Sequence, residues 1–371
     1  MKTQAAVVIE AGKPIEIEEL TLDKPREGEV LIQYTHAGLC HSDVHVAHGD
    51  LEARLPMVLG HEGAGIIQEV GPGVTRVKVG DHVVCSFIPN CGTCRYCANG
   101  QQSICDMGAT ILEGYLPGDR FPITGSRGDY GAMCMLGTFS QYGVIHQNSC
   151  VKVDDDLPLE KAVLVGCGVP TGWGAAVNTA AVKPGQTVLV VGVGGIGINA
   201  VQGARLAGAK NIIAIDPLEN KREKAMELGA THSFASTEEA MEALTDMTRG
   251  QMADSAILTP GLMTSEIVAG GFHAVGKGGV VVLTGLNKLA EQNIELPGTI
   301  MTLFRKTLKG SLFGDCNPTT DIPRLLGLYQ SGDLKLDEII TRTYTLDQVS
   351  EGYDDLLAGK NVRGVVVHSH N

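Results

Sequence analysis

The sequence has no basic run, no internal repeat and no low-complexity segment, and no export or anchor segment is expected. Without a basic run, and with a net charge of −13, neither nucleic acid nor an anionic membrane is expected as a partner. The opening apolar run, Ala5 to Ile9, is stopped by Glu10 and Gly12 well before signal-peptide length, which makes the cytoplasm the expected compartment. The most apolar region, between Thr187 and Asp216, holds Asn199 and Gln202 and falls short of the roughly 20 apolar residues of a span. What remains is a chain of 371 residues, 43% hydrophobic and 19% charged, long enough for two domains with their own cores. Ten cysteines in a chain of this size, without an export signal, point to metal or catalysis rather than to disulfides.

The stretch from Thr187 to Asp216 organises the rest. Val188 to Val191 is a short apolar, β-branched run suited to a strand buried on both faces. Gly192-Val193-Gly194-Gly195-Ile196-Gly197 follows, with the spacing of a dinucleotide-binding turn, and leads into a helix and a second strand ending in Asp216. Gly192 permits the tight turn, Gly194 lets a pyrophosphate approach the backbone, and Gly197 lets the helix pack closely on the strand. The helix N-terminus would direct its free N–H groups at phosphate, and Asp216 would accept hydrogen bonds from ribose hydroxyls. Pro217 and Leu218 follow Asp216, so no adjacent arginine offers to hold a 2′-phosphate, and NAD is expected over NADP.

Before this stretch, short runs such as Val30 to Tyr34, Gly65 to Val70 and His82 to Cys85 are separated by glycine and proline turns, which predicts a β-rich, barrel-like domain. After it, strands and helices alternate. Strands are expected at Thr187 to Val191, Asn211 to Asp216, His232 to Phe234, Ser255 to Leu258, Val280 to Thr284 and Leu308 to Leu312, enough for a doubly wound α/β sheet. The tail beyond about Asp315 ends in another strand, Gly364 to Val367, and is expected to pack back on the first domain.

Cys91, Cys94, Cys97 and Cys105 lie in one loop. Four thiolates so spaced can close a tetrahedron around Zn²⁺ that offers no position to substrate. Unliganded thiols and an iron–sulfur cluster are the alternatives, although the cluster run has a shorter last spacing followed by proline, where Asp106 stands here. Three other stretches carry candidate ligands: Cys40-His41-Ser42-Asp43-Val44-His45, Gly60-His61-Glu62-Gly63 and Gly166-Cys167-Gly168-Val169-Pro170-Thr171. Taken singly, a cysteine or histidine in such a stretch is more often a packed core residue than a ligand.

Taken in order, GHEGAG, the four-cysteine loop, GCGVPTGWGAA and VGVGGIG resemble the zinc-dependent medium-chain alcohol dehydrogenases over essentially the whole chain. The resemblance implies a GroES-like catalytic domain over 1–168 and 313–371 and a Rossmann NAD-binding domain over 169–312. It implies two Zn²⁺ per chain, one structural on the four-cysteine loop and one catalytic on Cys40, His61 and Cys167 with a fourth position left open. It places Glu62 near the metal, makes Asp43 the carboxylate that orients His61, and gives Ser42 and His45 to a proton relay from the substrate oxygen. On the cofactor side it implies Gly192, Gly194, Gly195, Gly197 and Asp216, with Lys221 beside the ribose, Thr171, Arg363 near the pyrophosphate, and His41 where an arginine often stands. For His41 and Lys221 a solvated surface charge is the alternative.

GLCHSD, PNCGTCRYCANGQQSICDMGA and GAMCMLGTFSQY narrow the resemblance to actinobacterial-type enzymes that need an artificial electron acceptor and hold their nicotinamide as a prosthetic group. The implied reaction is hydride transfer between a primary or secondary alcohol and NAD, giving an aldehyde or ketone, in a cleft between the domains walled by Leu51, Phe87, Met135, Leu136 and Trp173. The implied partners are a small alcohol or aldehyde and further copies of the chain, as a homodimer or homotetramer paired near Leu308 to Leu312. A formaldehyde dehydrogenase acting on a thiol adduct, a non-catalytic dinucleotide-binding relative and a zinc-finger nucleic-acid binder are the competing readings.

Overall fold

Ten residues, Glu29–Gly38, carry the first half of the fold. Their sequence, EVLIQYTHAG, is rich in β-branched and aliphatic residues and is buried on both faces over most of its length, as suits a central strand. One edge pairs antiparallel with Glu62–Val70. The other is shared: Glu29 to Gln33 face Tyr142–His146, and His36 to Gly38 face Arg363–Val367. The C-terminal tail therefore returns to the first half, as its length and final strand predict. His82–Cys85 and Cys150–Lys152 extend this seven-stranded sheet at one end and Ile340–Tyr344 at the other. A second, closed barrel is formed by Lys2–Val8, Glu16–Leu22, Ile123–Gly125, Gly128–Ala132 and Met57–Val58. Its interior is filled by Val7, Leu20, Val58, Ile123 and Tyr130 among others. Burial of each large side chain there contributes about 1.5–3 kcal/mol.

This computed structural model describes residues 1–289 and 293–370. It divides into two compact units, one of Met1–Cys167, Asn317–Ser331 and Leu336–Asn371, the other of Gly168–Cys316 and Gly332–Lys335. In the second unit six strands lie parallel in the order His232–Phe234, Asn211–Ile215, Thr187–Val191, Ala253–Leu258, Val275–Leu283 and Thr307–Gly310. Numbered within the unit this is 3-2-1-4-5-6, the doubly wound dinucleotide-binding order. Thr187–Val191 is buried at every position. The helix Gly197–Leu206 returns from its C-terminal end, and the helices Thr237–Met247 and Ser265–Ala274 begin at Ser236 and Thr264, whose hydroxyls accept N–H groups of the first turn. Among the described residues no helix is long and apolar enough to cross a membrane.

Candidate metal centres and nucleotide site

Strand pairing places the first metal centre. Glu29–Gly38 runs directly into Leu39-Cys40, and its antiparallel neighbour begins at Glu62, directly after His61, with Gly38 opposite Glu62. Cys40 and His61 thus meet at one end of the strand pair. Gly166 packs so closely on this sheet that a Cβ there would stand 2.7 Å from the Cys85 carbonyl, and it delivers Cys167. The ligand atoms of Cys40, His61, Glu62 and Cys167 all lie within 4.8 Å of one another, and all four residues are buried.

The ring of His61 is held from behind. Its Nδ1 lies 3.3 Å from Asp43 Oδ1, which also accepts the Gly60 N–H at 2.9 Å, and the ring meets Phe87 edge-on at 5.8 Å. Its Nε2 is sealed from solvent and has no hydrogen-bond partner among the described residues. Burial alone would lower the His61 pKa, but Asp43 and Cys40 outweigh it and hold it well above the ordinary value. The field at that imidazole therefore favours positive charge. Two thiols, an imidazole aimed inward by a carboxylate and an acid at the rim fit Zn²⁺ with an open position. Contact with Cys167 lowers the Cys40 thiol against its burial, while Cys167 is raised by Cys40 and by burial. Burial pushes Glu62 up to about 7 against the opposing charge of Arg363, which is ion-paired to it.

Ser42 Oγ lies 3.7 Å from the Cys40 sulfur, at the start of the helix His41–His48. Three residues on, His45 turns inward and its Nδ1 is 3.0 Å from Asp50 Oδ2. His41 lies on the same helix, its ring centroid 6.2 Å from that of His45. Arg363 falls in the first unit, where its guanidinium is buried against Glu62. Cys134, whose thiol burial raises to about 12, lies within the field of His61, Asp43 and Cys40 and was not singled out by sequence spacing.

The four-cysteine loop forms the second centre, with all four sulfurs within 4.8 Å of one another. The Cys91–Cys97 and Cys94–Cys105 sulfur pairs are each 3.9 Å apart. A Zn–S bond of about 2.3 Å implies a tetrahedral edge of about 3.8 Å, so the sulfurs already stand at the spacing a zinc requires. Backbone N–H groups point at them: Cys94 N lies 3.2 Å and Thr93 N 3.4 Å from Cys91 Sγ, and Cys91 N lies 3.4 Å from Cys105 Sγ. Against partial burial, the Thr93 and Cys94 amides bring Cys91 down to about 6, whereas burial takes Cys105 to about 12. Asn90 ties the lobe to the start of the helix Pro318–Gln330: it accepts from Cys97 Sγ at 3.5 Å and donates to Asn317 and Thr319 at 2.9 Å.

In the second unit Gly192 has φ +84°, the left-handed conformation the tight turn requires. A Cβ on Gly194 would meet nothing closer than Lys221 Nζ at 4.0 Å, which leaves that backbone open to a phosphate with an ammonium group overhead. Gly197 starts the helix close against the ends of two strands. A Cβ there would stand 1.9 Å from the Gly192 carbonyl and 2.6 Å from Thr259 Oγ1. Asn199 donates to the Gly195 carbonyl at 2.9 Å, and Gln202 donates to Asn199 Oδ1 and exchanges hydrogen bonds with the Lys335 backbone. Asp216 accepts Val193 N and Leu218 N, each at 3.0 Å, and so ties the glycine turn to the end of the second strand. Thr171 is buried in the helix Gly168–Gly174, where a Cβ on neighbouring Gly172 would overlap the Ile196 carbonyl.

Two contributors lie outside the spacing argument. Thr259 donates its hydroxyl to the Gly192 carbonyl and its N–H to Val191. Arg222, one helical turn beyond the position where an arginine was sought, bonds the carbonyls of Asp216 at 2.8 Å and Pro217 at 3.0 Å.

A family model described as the alcohol dehydrogenase GroES-like domain matches residues 26–155, and one described as zinc-binding dehydrogenase matches residues 195–331. The NDMA-dependent alcohol dehydrogenase of Amycolatopsis methanolica is 62% identical over 369 residues, all of both chains. The crystal structure of benzyl alcohol dehydrogenase from Acinetobacter calcoaceticus superposes with a TM-score of 0.92 over the whole of both chains at 30% identity. The S-(hydroxymethyl)glutathione dehydrogenase of Paracoccus denitrificans is more distant, 35% identical over 99% of this chain and 100% of its own.

Proposed function

Because the chain belongs to the zinc-dependent medium-chain alcohol dehydrogenases, we propose that it interconverts a primary or secondary alcohol and its aldehyde or ketone with NAD as hydride carrier. The observation that carries this reading is the convergence of Cys40, His61 and Cys167 on one point, with the His61 Nε2 sealed and unpartnered there. The four-cysteine loop would hold a second, structural zinc.

When bound, zinc supplies the Lewis acidity that makes an alcohol hydroxyl acidic near neutral pH, and NAD accepts the hydride. The chain's own residues do the rest. Asp43 keeps the His61 ring in line. Ser42, beside Cys40, would take the hydroxyl proton and pass it towards His45. Asp50 fixes His45 as the tautomer protonated at Nδ1. Gly192, Gly194, Gly195 and Gly197 would receive the pyrophosphate, Asp216 the adenosine ribose, and Lys221 the negative charge over the turn. Thr171, His41 and Arg363 would complete the cofactor contacts. The strand Thr307–Gly310 ends the parallel sheet, and with exposed Leu303 and Leu312 nearby we assign it to pairing between copies in a dimer or tetramer. A cytoplasmic enzyme is consistent with its free thiols.

The kinship with an NDMA-dependent enzyme supports a nicotinamide that stays on the protein through turnover. Purified protein is assayed with a panel of primary alcohols, with free NAD and NDMA supplied separately, and its nicotinamide absorbance is recorded. Turnover with NDMA alone, from protein already showing that absorbance, is expected. Turnover that requires free NAD overturns the bound-cofactor reading, and silence with both in zinc-replete protein overturns the activity. Cys167→Ala is expected to abolish turnover.

A further inference from the structure

The helix Val349–Leu357 reaches the first metal centre from the far end of the chain. It buries Val349, Gly352, Tyr353 and Asp355. At Gly352 it comes so close to the strand end that a Cβ would stand 2.5 Å from Leu39 Cδ1, one residue before Cys40. The next residue, Tyr353, packs edge-on against Phe139 with ring centroids 6.1 Å apart, and only 6% of it is exposed.

A phenylalanine would fill that space equally well without burying a hydroxyl. The Tyr353 Oη is sealed from solvent and has no hydrogen-bond partner among the described residues. The same holds for Asp43 Oδ2. The phenol faces the Asp43 carboxylate, with Cys40 and Glu62 as its next charged neighbours. Burial and those negative charges hold its pKa well above the ordinary value, so it keeps its proton and, facing a carboxylate that can only accept, would be the donor. Asp43 Oδ1 is already engaged by Gly60 N and His61 Nδ1. Oδ2 lies 3.3 Å from the same Nδ1 but has no hydrogen bond of its own, and buried polar groups of this kind are almost always paired.

We propose that Tyr353 is a positioning residue whose hydroxyl donates to Asp43 Oδ2 and so fixes the carboxylate that orients His61. It closes a chain from Tyr353 through Asp43 to His61 and the ion. The inference rests on the reading of Cys40, His61 and Cys167 as zinc ligands. Loss of a partner behind a ligating histidine typically weakens metal binding about 10- to 100-fold. One further step from the metal places Tyr353 at the lower end of that range.

The test is transfer of zinc to a chromogenic chelator from wild type, Tyr353→Phe, Asp43→Asn and the double variant. Wild type is expected to hold two zinc ions per chain, and Cys167→Ala one. Tyr353→Phe is expected to release the ion that Cys167→Ala lacks about tenfold faster, and to add nothing in the Asp43→Asn background. Release at the wild-type rate, or equal acceleration with and without the Asp43 carboxylate, overturns the role of Tyr353 while leaving the metal site standing. Wild-type zinc content in Cys167→Ala overturns the metal site and this inference together.

Discussion

Glu62 and Arg363, 301 residues apart in the chain, form a fully buried ion pair beside the candidate catalytic centre. The pair occupies the space in which a side chain at position 38 would stand. A Cβ on Gly38 would lie 2.0 Å from Glu62 Oε2 and 3.0 Å from the Arg363 guanidinium. The strand Glu29–Gly38 therefore ends in glycine because two strands bring opposite charges together over it.

Removing one partner of such a pair leaves an uncompensated buried charge, at a cost of about 3–5 kcal/mol. Arg363→Met is expected to lower stability by that amount, because Glu62 is already pushed up to about 7 by burial even with the arginine present. Urea unfolding followed by circular dichroism measures it. A loss below about 1 kcal/mol would mean that the carboxylate finds water or another cation.

The four-cysteine lobe is held by its ligands more than by a core. The backbone N–H groups of Cys91, Thr93, Cys94 and Cys97 all end on its sulfurs, and Asn90 links it to Asn317 and Thr319. Cys105→Ser is expected to cost one zinc per chain and to lower the melting temperature, since the binding free energy of a structural zinc is folding free energy. Metal analysis together with a thermal scan checks both. Wild-type zinc content would mean that three sulfurs suffice.

Elements whose causes are local were legible in the sequence. The glycine turn, the buried strand before it and the four-cysteine loop each depend on residues within about a dozen positions, and each forms where the spacing predicts. The strand Val275–Leu283 starts earlier than the expected Val280, because Lys277-Gly278-Gly279 reads as a turn while Val275 still pairs with Ala253 across a register shift. Thr259, Arg222 and Tyr353 were not legible. Thr259 reaches Gly192 through pairing of strands 67 residues apart, and the proposed approach of Tyr353 to Asp43 depends on the tail strand docking beside Gly38. Periodicity and motif spacing carry no trace of such contacts.

Arg222 gives Asp216 a second meaning. Its guanidinium already sits at the Asp216 and Pro217 carbonyls, and Lys221 lies over Gly194. On the proposed reading, the Asp216 carboxylate would be the group that turns a 2′-phosphate away. Asp216→Ser is expected to weaken NAD binding about 10- to 100-fold, the value of about 1.5–3 kcal/mol for a charge-assisted hydrogen bond, and to tighten NADP binding. Titration of cofactor-stripped protein with each dinucleotide, followed by the fluorescence of Trp173, the only tryptophan in the chain, measures both. Unchanged preference would remove Asp216 from the ribose.

His368 sets how the first unit responds to acid. Burial lowers its pKa to about 3, only partly opposed by the hydrogen bond to the Thr138 carbonyl, where Nε2 donates at 2.9 Å. Its Nδ1 is sealed and has no partner among the described residues, so a proton there would be a buried, unpaired charge. The ring is neutral in the folded protein, whereas the unfolded chain takes up a proton near pH 6.5. Its contribution to stability is therefore complete above about pH 6.5 and is lost as pH falls towards 3, at about 1.4 kcal/mol per pH unit. His36 and His146, also lowered by burial, act in the same direction. Replacing His368 by Gln, which keeps a donor for Thr138 and cannot charge, is expected to flatten the fall in unfolding free energy between pH 6.5 and 4 by about that slope. Denaturant unfolding at half-unit pH steps measures the slope. An unchanged slope in His368→Gln would transfer the acid sensitivity to the other buried histidines.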